Sequence, residues 1–157
     1  MRSVAAGALL LLGSASVGAA GRLVVDGLAT VQPDGSLHVG GEKVRLFGAY
    51  IPDIEPTCRF VVRPPRCAAR AVLALDFLVT GFVRCEIVRG GGGGGLDGIC
   101  TVAGRDLFGP REDLGAALIL GGWALATPDA PARYHALEAV ARSREAGLWG
   151  DKIVNFR

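Results

Sequence analysis

Four cysteines, two histidines and one arginine-rich stretch are the side chains of this sequence with the most distinctive chemistry. Cys58, Cys67, Cys85 and Cys100 are even in number, and in an exported chain such cysteines form disulfides by default. Three pairings are possible. Cys58 and Cys67 flank a short Arg/Pro-rich loop, whereas Cys85 and Cys100 belong to two expected neighbouring strands, which favours 58–67 with 85–100. Closing a loop of about 15 residues stabilises by ~3 kcal/mol in the chain-entropy model, less any native-state strain. Zinc is the competing use of these thiols, but there is no C-x-x-C spacing and the histidines are His38 and His135 alone. His38 follows Leu37 on an alternating stretch and is expected to face solvent, as is His135 on an amphipathic helix beside Tyr134. Trp123 and Trp149 read as core and helix-packing anchors rather than stacking platforms. Arg59, Arg63 and Arg66 surround Phe60 and the pair Pro64 and Pro65, a local basic cluster able to touch an anionic partner. Its plainer reading is a solvated loop between Cys58 and Cys67.

The elements that must position these groups are bounded by length and composition. With 157 residues the chain accommodates one domain. Half of it is apolar, 20% is charged and the mean hydropathy is +0.39, which excludes a disordered charged tail and permits a hydrophobic core. Much of that hydropathy lies at the start, where Arg2 precedes the uncharged run 4–20, centred on four leucines and ending in Gly18, Ala19 and Ala20. These are the parts of a secretory signal peptide with cleavage after Ala20. An uncleaved anchor is the alternative, since about 17–25 apolar residues span a bilayer. The glycines and the short leucine core argue against it. No later uncharged run is as long, so the mature chain is expected to lack a stable membrane span and to work outside the cytoplasm, periplasmic or secreted. Loss of Arg2 lowers the net charge from +2 to +1, too little for tight non-specific binding of nucleic acid.

Residues 23–31 and 36–39 are β-prone and are separated by the turn tripeptide Pro33, Asp34, Gly35. Gly40 and Gly41 make the next turn, and the alternation of 43–47 predicts a third strand, left by an irregular segment 48–56 that carries Asp53 and Glu55. Residues 67–79 have helical apolar spacing, with Gly81 at the place of a C-terminal cap. Strands are expected over 82–88 and 98–102, joined through the six glycines 90–95, a connection expected to be mobile and without chemistry. Further helices are expected over 113–121 and 132–145, the last stopping at Gly147. Three strands, a helix, two strands and two helices is the order of an α+β fold: a five-stranded OB-type β-barrel with about three helices.

Several residues within that order carry a resemblance. The run 34–53 (DGSLHVGGEKVRLFGAYIPD), then VRCEIV, CTVAGRDL, GGWALA and YHALEAVARSREAGLWG, resembles the staphylococcal nuclease (thermonuclease-like) family over about residues 27–150. The markers are Arg-Leu-x-Gly at 45–48, Gly-x-Asp-Leu at 104–107, Gly-Trp-Ala at 122–124 and Gly-Leu-Trp at 147–149. The resemblance implies a staphylococcal nuclease-like fold and calcium-dependent phosphodiester hydrolysis. That chemistry needs carboxylate oxygens for a hard cation, guanidinium groups for the charge of the transition state and a positioned carboxylate for the attacking water. Taken position by position, the resemblance places the first metal-binding Asp at Gly35, with Asp34 one residue away and usable only through a shifted turn. The second metal-binding Asp falls on Tyr50, whose phenol carries no charge near neutral pH. Arg45 matches the first phosphate-clamping arginine. The catalytic Glu becomes Asp53, shorter by one methylene. The second arginine, five residues before Cys100, becomes Gly95, and the nearest other arginine, Arg89, stands beyond the glycines and is not expected to be held in place.

Both metal carboxylates and one charge clamp are thus replaced, terms each worth about 3 kcal/mol or more of barrier in comparable sites. The expectation is a signal peptide at 1–20, a nuclease-like OB-fold domain at 21–150 and a tail at 151–157, an exported barrel that has lost hydrolytic activity and acts by binding. No cofactor is expected. The partner is an unidentified protein or anionic ligand, with nucleic acid weakly supported. One alternative is a residual metal-dependent nuclease using Arg45, Asp53 and Asp34 with calcium. Another is a subunit of an envelope complex.

Overall fold

The computed structural model describes residues 23–52, 67–90, 95–104 and 109–150, the side chains of 67–69 excepted. The expected leader 1–20, Asp53, the Cys58–Cys67 pairing, the arginines of 59–66, glycines 91–94 and the tail 151–157 lie outside the described residues.

The chain runs β1 (Val24–Val31), β2 (Leu37–Val39), β3 (Glu42–Leu46), β4 (Ala49–Tyr50), α1 (Cys67–Leu78), β5 (Phe82–Gly90), β6 (Leu96–Val102), β7 (Glu112–Asp113), α2 (Leu114–Leu120), β8 (Leu125–Ala126) and α3 (Ala132–Ser143), followed by a 3-10 turn at Gly147–Trp149. The strands hydrogen-bond in the order β3-β2-β1-β5-β6, and β6 returns to β3. That last pair is parallel, with Val44, Arg45 and Leu46 opposite Leu96, Asp97 and Gly98, whereas the others are antiparallel. The result is a closed five-stranded mixed barrel with three helices, the expected α+β OB-type architecture.

Alternation explains the core. Leu37 and Val39 are buried while His38 between them is exposed, and Val44 and Leu46 are buried on either side of exposed Arg45. Val83, Cys85, Cys100 and Val102 complete the interior from β5 and β6. Cys85 and Cys100 face each other in that ladder and form a disulfide, both fully buried, with Cα atoms 4.0 Å apart. Leu75 of α1 and Leu114, Leu118 and Ile119 of α2 add helix side chains to the same cluster.

One carboxylate joins the last two helices. Asp113 caps α2 by accepting the Ala116 N–H at 3.1 Å, accepts the Tyr134 hydroxyl at 2.8 and 3.0 Å, and pairs with Arg133. Tyr134 is 1% exposed, and burial followed by the adjacent Asp113 pushes its phenol well above the ordinary range, so it stays a donor. The two glycine-containing motifs at 122–124 and 147–149 prove to be one contact. Leu148 N donates to the Gly122 carbonyl at 2.9 Å, and a Cβ on Gly122, at φ +72, would stand 2.1 Å from the Ala146 oxygen. Arg142 lies over the Trp149 ring at 4.2 Å, and Trp123 packs on the core, so both tryptophans serve as packing anchors.

Three differences from the sequence reading concern boundaries. The two-residue pairings β4–β8 and β6–β7 are too short to leave a periodic pattern. The third helix ends at Ser143, two residues early, because Ala146 N reaches back to the Ala141 carbonyl and Glu145 turns to φ +51. Strand β5 runs on to Gly90, and β6 begins at Leu96 instead of residue 98.

Replacing Cys85 and Cys100 together by alanine is expected to lower unfolding free energy by about 2–4 kcal/mol. Urea denaturation of the oxidised chain against the double variant reads this directly, and equal midpoints would mean the cross-link adds nothing.

Candidate functional site

Arg45 occupies an outward position of β3, set by its alternation with buried Val44 and Leu46. The parallel pairing places it opposite Asp97 of β6, and its Nε donates to Asp97 Oδ1 at 2.9 Å. On the other side of β6 stands β5, whose register with β6 shifts between Ile87 and Arg89. Val88 is the extra residue of this bulge, 48% exposed, and the shift sets Arg89 rather than Val88 opposite Asp97. Arg89 Nε then donates to Asp97 Oδ2 at 2.9 Å. Two guanidinium groups from the strands on either side of β6 thus share one carboxylate, oxygen by oxygen.

Asp97 is enclosed, with 10% of its side chain exposed, while Arg45 and Arg89 keep 49% and 56%. The arginines therefore cover the acid while about half of each of their own side chains stays exposed. Arg89 is further fixed by Phe47, whose ring centroid lies 5.1 Å from the guanidinium carbon, and by Asp129, which accepts from Nη1 at 2.8 Å. Hydrogen bonds to Asp97 and then Asp129 raise the Arg89 pKa still further above its ordinary value. Asp129 is held below the usual carboxylate range, first by the Thr127 hydroxyl at 2.6 Å and then by Arg89.

The expectation that Arg89 would not be held in place is therefore corrected. It sits inside the β5–β6 ladder, one residue before Gly90, which itself pairs with Leu96. Gly95, where the resemblance places the second clamping arginine, carries no side chain, and the bulge delivers Arg89 beside Arg45 instead. Asp97, Asp129 and Phe47 were not legible as site residues. Asp97 precedes the segment read as strand, and Asp129 sits 40 residues from Arg89 in a turn.

The remaining candidates are placed as follows. Asp34 accepts from the Ser36 N–H at 3.0 Å, from the Ser36 hydroxyl and from the Lys43 ammonium at 2.6 Å, closing the β1–β2 turn. Gly35 adopts φ +77, and a Cβ there would meet Ile51 Cδ1 at 2.6 Å, so the direction in which a side chain would leave this position is filled by an apolar group. Tyr50 pairs with Leu125 and is 50% exposed. His38 and His135 are both exposed, as expected. Among the described residues no three His, Cys, Asp or Glu side chains converge as ligands for a metal ion; Asp53 and Glu55 lie outside them. Chemically, the set offers guanidinium N–H donors from Arg45 and Arg89 beside two carboxylates, Asp97 and Asp129.

Compared with protein-family models and with curated proteins, the sequence matches none.

The Asp34–Lys43 pair has a defined pH signature. Lys43 and then Ser36 lower the Asp34 carboxyl from 3.8 to about 2, so its contribution is present above the unfolded value and is lost as pH falls through the folded one. Both side chains are half exposed, which limits the pair to about 1 kcal/mol or less. The stability gap between wild type and Lys43→Ala is expected to shrink between about pH 5 and about pH 2, as read by urea unfolding across that range. A gap that does not change with pH would assign Lys43 another role.

Proposed function

We propose that this chain is an exported barrel of the staphylococcal nuclease-like kind that has given up calcium-dependent phosphodiester hydrolysis and acts by binding an anionic ligand at Arg45 and Arg89. The observation that carries the reading is the chemistry at the two positions where the resemblance puts metal carboxylates. One is a glycine whose side-chain direction is taken by Ile51, and the other is a half-exposed tyrosine. Asp34, the neighbouring acid, already serves Lys43 and Ser36. The charge-clamping side of the site is built from Arg45 and a second arginine reached by a different route. A donor surface kept while carboxylates are lost favours recognition of a negative group over its hydrolysis.

A second reading, a subunit of an envelope complex, draws on a different surface. Leu28 and Phe82 face each other across β1 and β5 at 69% and 66% exposure, and Leu73 and Phe77 lie one turn apart on α1 at 54% and 75%. Exposed apolar pairs of this size suit a protein partner. Co-purification from native periplasm or membrane supports this reading, and a strictly monomeric, unaccompanied protein counts against it.

Calorimetry with a nucleoside 3′,5′-bisphosphate, with and without calcium, tests the primary reading. The bisphosphate is expected to bind without calcium, Arg45→Ala to abolish that binding, and single-stranded DNA to remain uncut. Calcium-dependent binding together with cleavage that Arg45→Ala abolishes would restore the residual nuclease using Arg45, Asp53 and Asp34.

A further inference from the structure

The two acids on Arg89 are not equivalent. Asp97 is enclosed in the sheet and bonds the Nε of both arginines. Asp129 keeps 46% of its side chain exposed and, of the two arginines, bonds Arg89 alone, through Nη1, while its other oxygen accepts from the Thr127 hydroxyl at 2.6 Å. The turn that carries Asp129 is anchored independently of Arg89. Thr127 N donates to the Gly48 carbonyl at 3.0 Å, Ala130 N donates to the Thr127 carbonyl at 3.0 Å, and Ala130 and Pro131 abut Gly48. Leaving Arg89 therefore takes only a side-chain rotation of Asp129, with the backbone unmoved and the local Thr127 hydroxyl bond exchanged for water.

Charge decides what could take its place. Arg45, Arg89, Asp97 and Asp129 together carry no net charge, so a monoanion replacing Asp129 merely exchanges one carboxylate for another. A compact anion with two or more charges does better, since it can engage Arg89 and also reach Arg45, whose terminal nitrogens take no hydrogen bond among the described residues. An exposed ion pair of the Arg89–Asp129 kind is weak enough to be displaced in this way.

We propose that Asp129 is a built-in competitor for the Arg45–Arg89 pair, occupying the outward side of Arg89 until a compact polyanion of the phosphate class displaces it. The inference rests on the anion-binding reading and adds the residue that sets the threshold for binding. Asp129 acts on the ligand through competition, so its removal strengthens binding, a result that a merely structural role does not produce.

The test is calorimetry of the full oxidised chain with sodium pyrophosphate and, separately, sodium acetate, on wild type, Asp129→Asn, Asp129→Ala and Arg45→Ala. Both Asp129 variants are expected to bind pyrophosphate about two- to five-fold more tightly than wild type, the range set by an exposed ion pair. Acetate is expected to give no saturable heat with wild type, and Arg45→Ala to lose pyrophosphate binding. If the Asp129 variants bind as wild type does or more weakly, while Arg45→Ala still loses binding, the competitor role is overturned and the anion site stands. If wild type and Asp129 variants all fail to bind pyrophosphate, or Arg45→Ala binds it unchanged, the anion reading itself falls and the competitor with it.

Discussion

The parallel pairing of β3 with β6 is the constraint on which the rest of this molecule depends. Without it the five strands are an open sheet with two exposed edges. With it the barrel closes, and the inward residues of all five strands enclose one core. The closure is tight at Gly98, where a Cβ would lie 3.1 Å from the Glu86 carbonyl oxygen and 3.3 Å from Val44 Cγ1. The same register that closes the barrel sets Arg45 opposite Asp97 on its outer face. Architecture and candidate site are therefore consequences of one strand pairing.

The helices are attached by a second economy, the use of single carboxylates for several donors. Asp113 caps α2 and receives Tyr134 and Arg133 from α3. Glu138 receives the Ala126 N–H of β8 at 2.7 Å and pairs with Arg142, which in turn covers Trp149. Each acid is mostly enclosed, and each of its oxygens finds a donor. This network fixes α3 against both α2 and β8, and with it the turn that carries Asp129.

At the candidate site the relevant physics is the difference between gathering acids and gathering bases. A hard cation requires several converging carboxylate oxygens. Here the enclosed acid, Asp97, is bonded by two arginines, one on each oxygen, and Arg89 also donates to Asp129. The arrangement is neutral only because Asp129 completes it from an exposed turn. Recognition at such a surface depends on how much better a ligand satisfies the guanidinium groups than that single carboxylate does.

Much of the fold was legible in the residues. Alternation marked β2 and β3, and helical spacing marked α1 and α3, whereas the contact between Gly-Trp-Ala and Gly-Leu-Trp appeared only in the structure. The pairing of Cys85 with Cys100 was favoured among three possibilities, and the register of β5 with β6 decided it. The strand and helix periods are local, set by side-chain spacing within a few residues, and for that reason the sequence alone determined them. Arg45 was singled out by the resemblance, which also set Gly35 and Tyr50 at the positions where it implies metal-binding acids. The partnership of Arg45, Asp97, Arg89 and Asp129 was decided by the tertiary structure alone. It joins residues 8, 40 and 52 positions apart, and it turns on a one-residue bulge at Val88, since slipping a strand by a single residue exchanges which side chain meets its neighbour. No composition or spacing encodes that slip; it exists only once the barrel has closed.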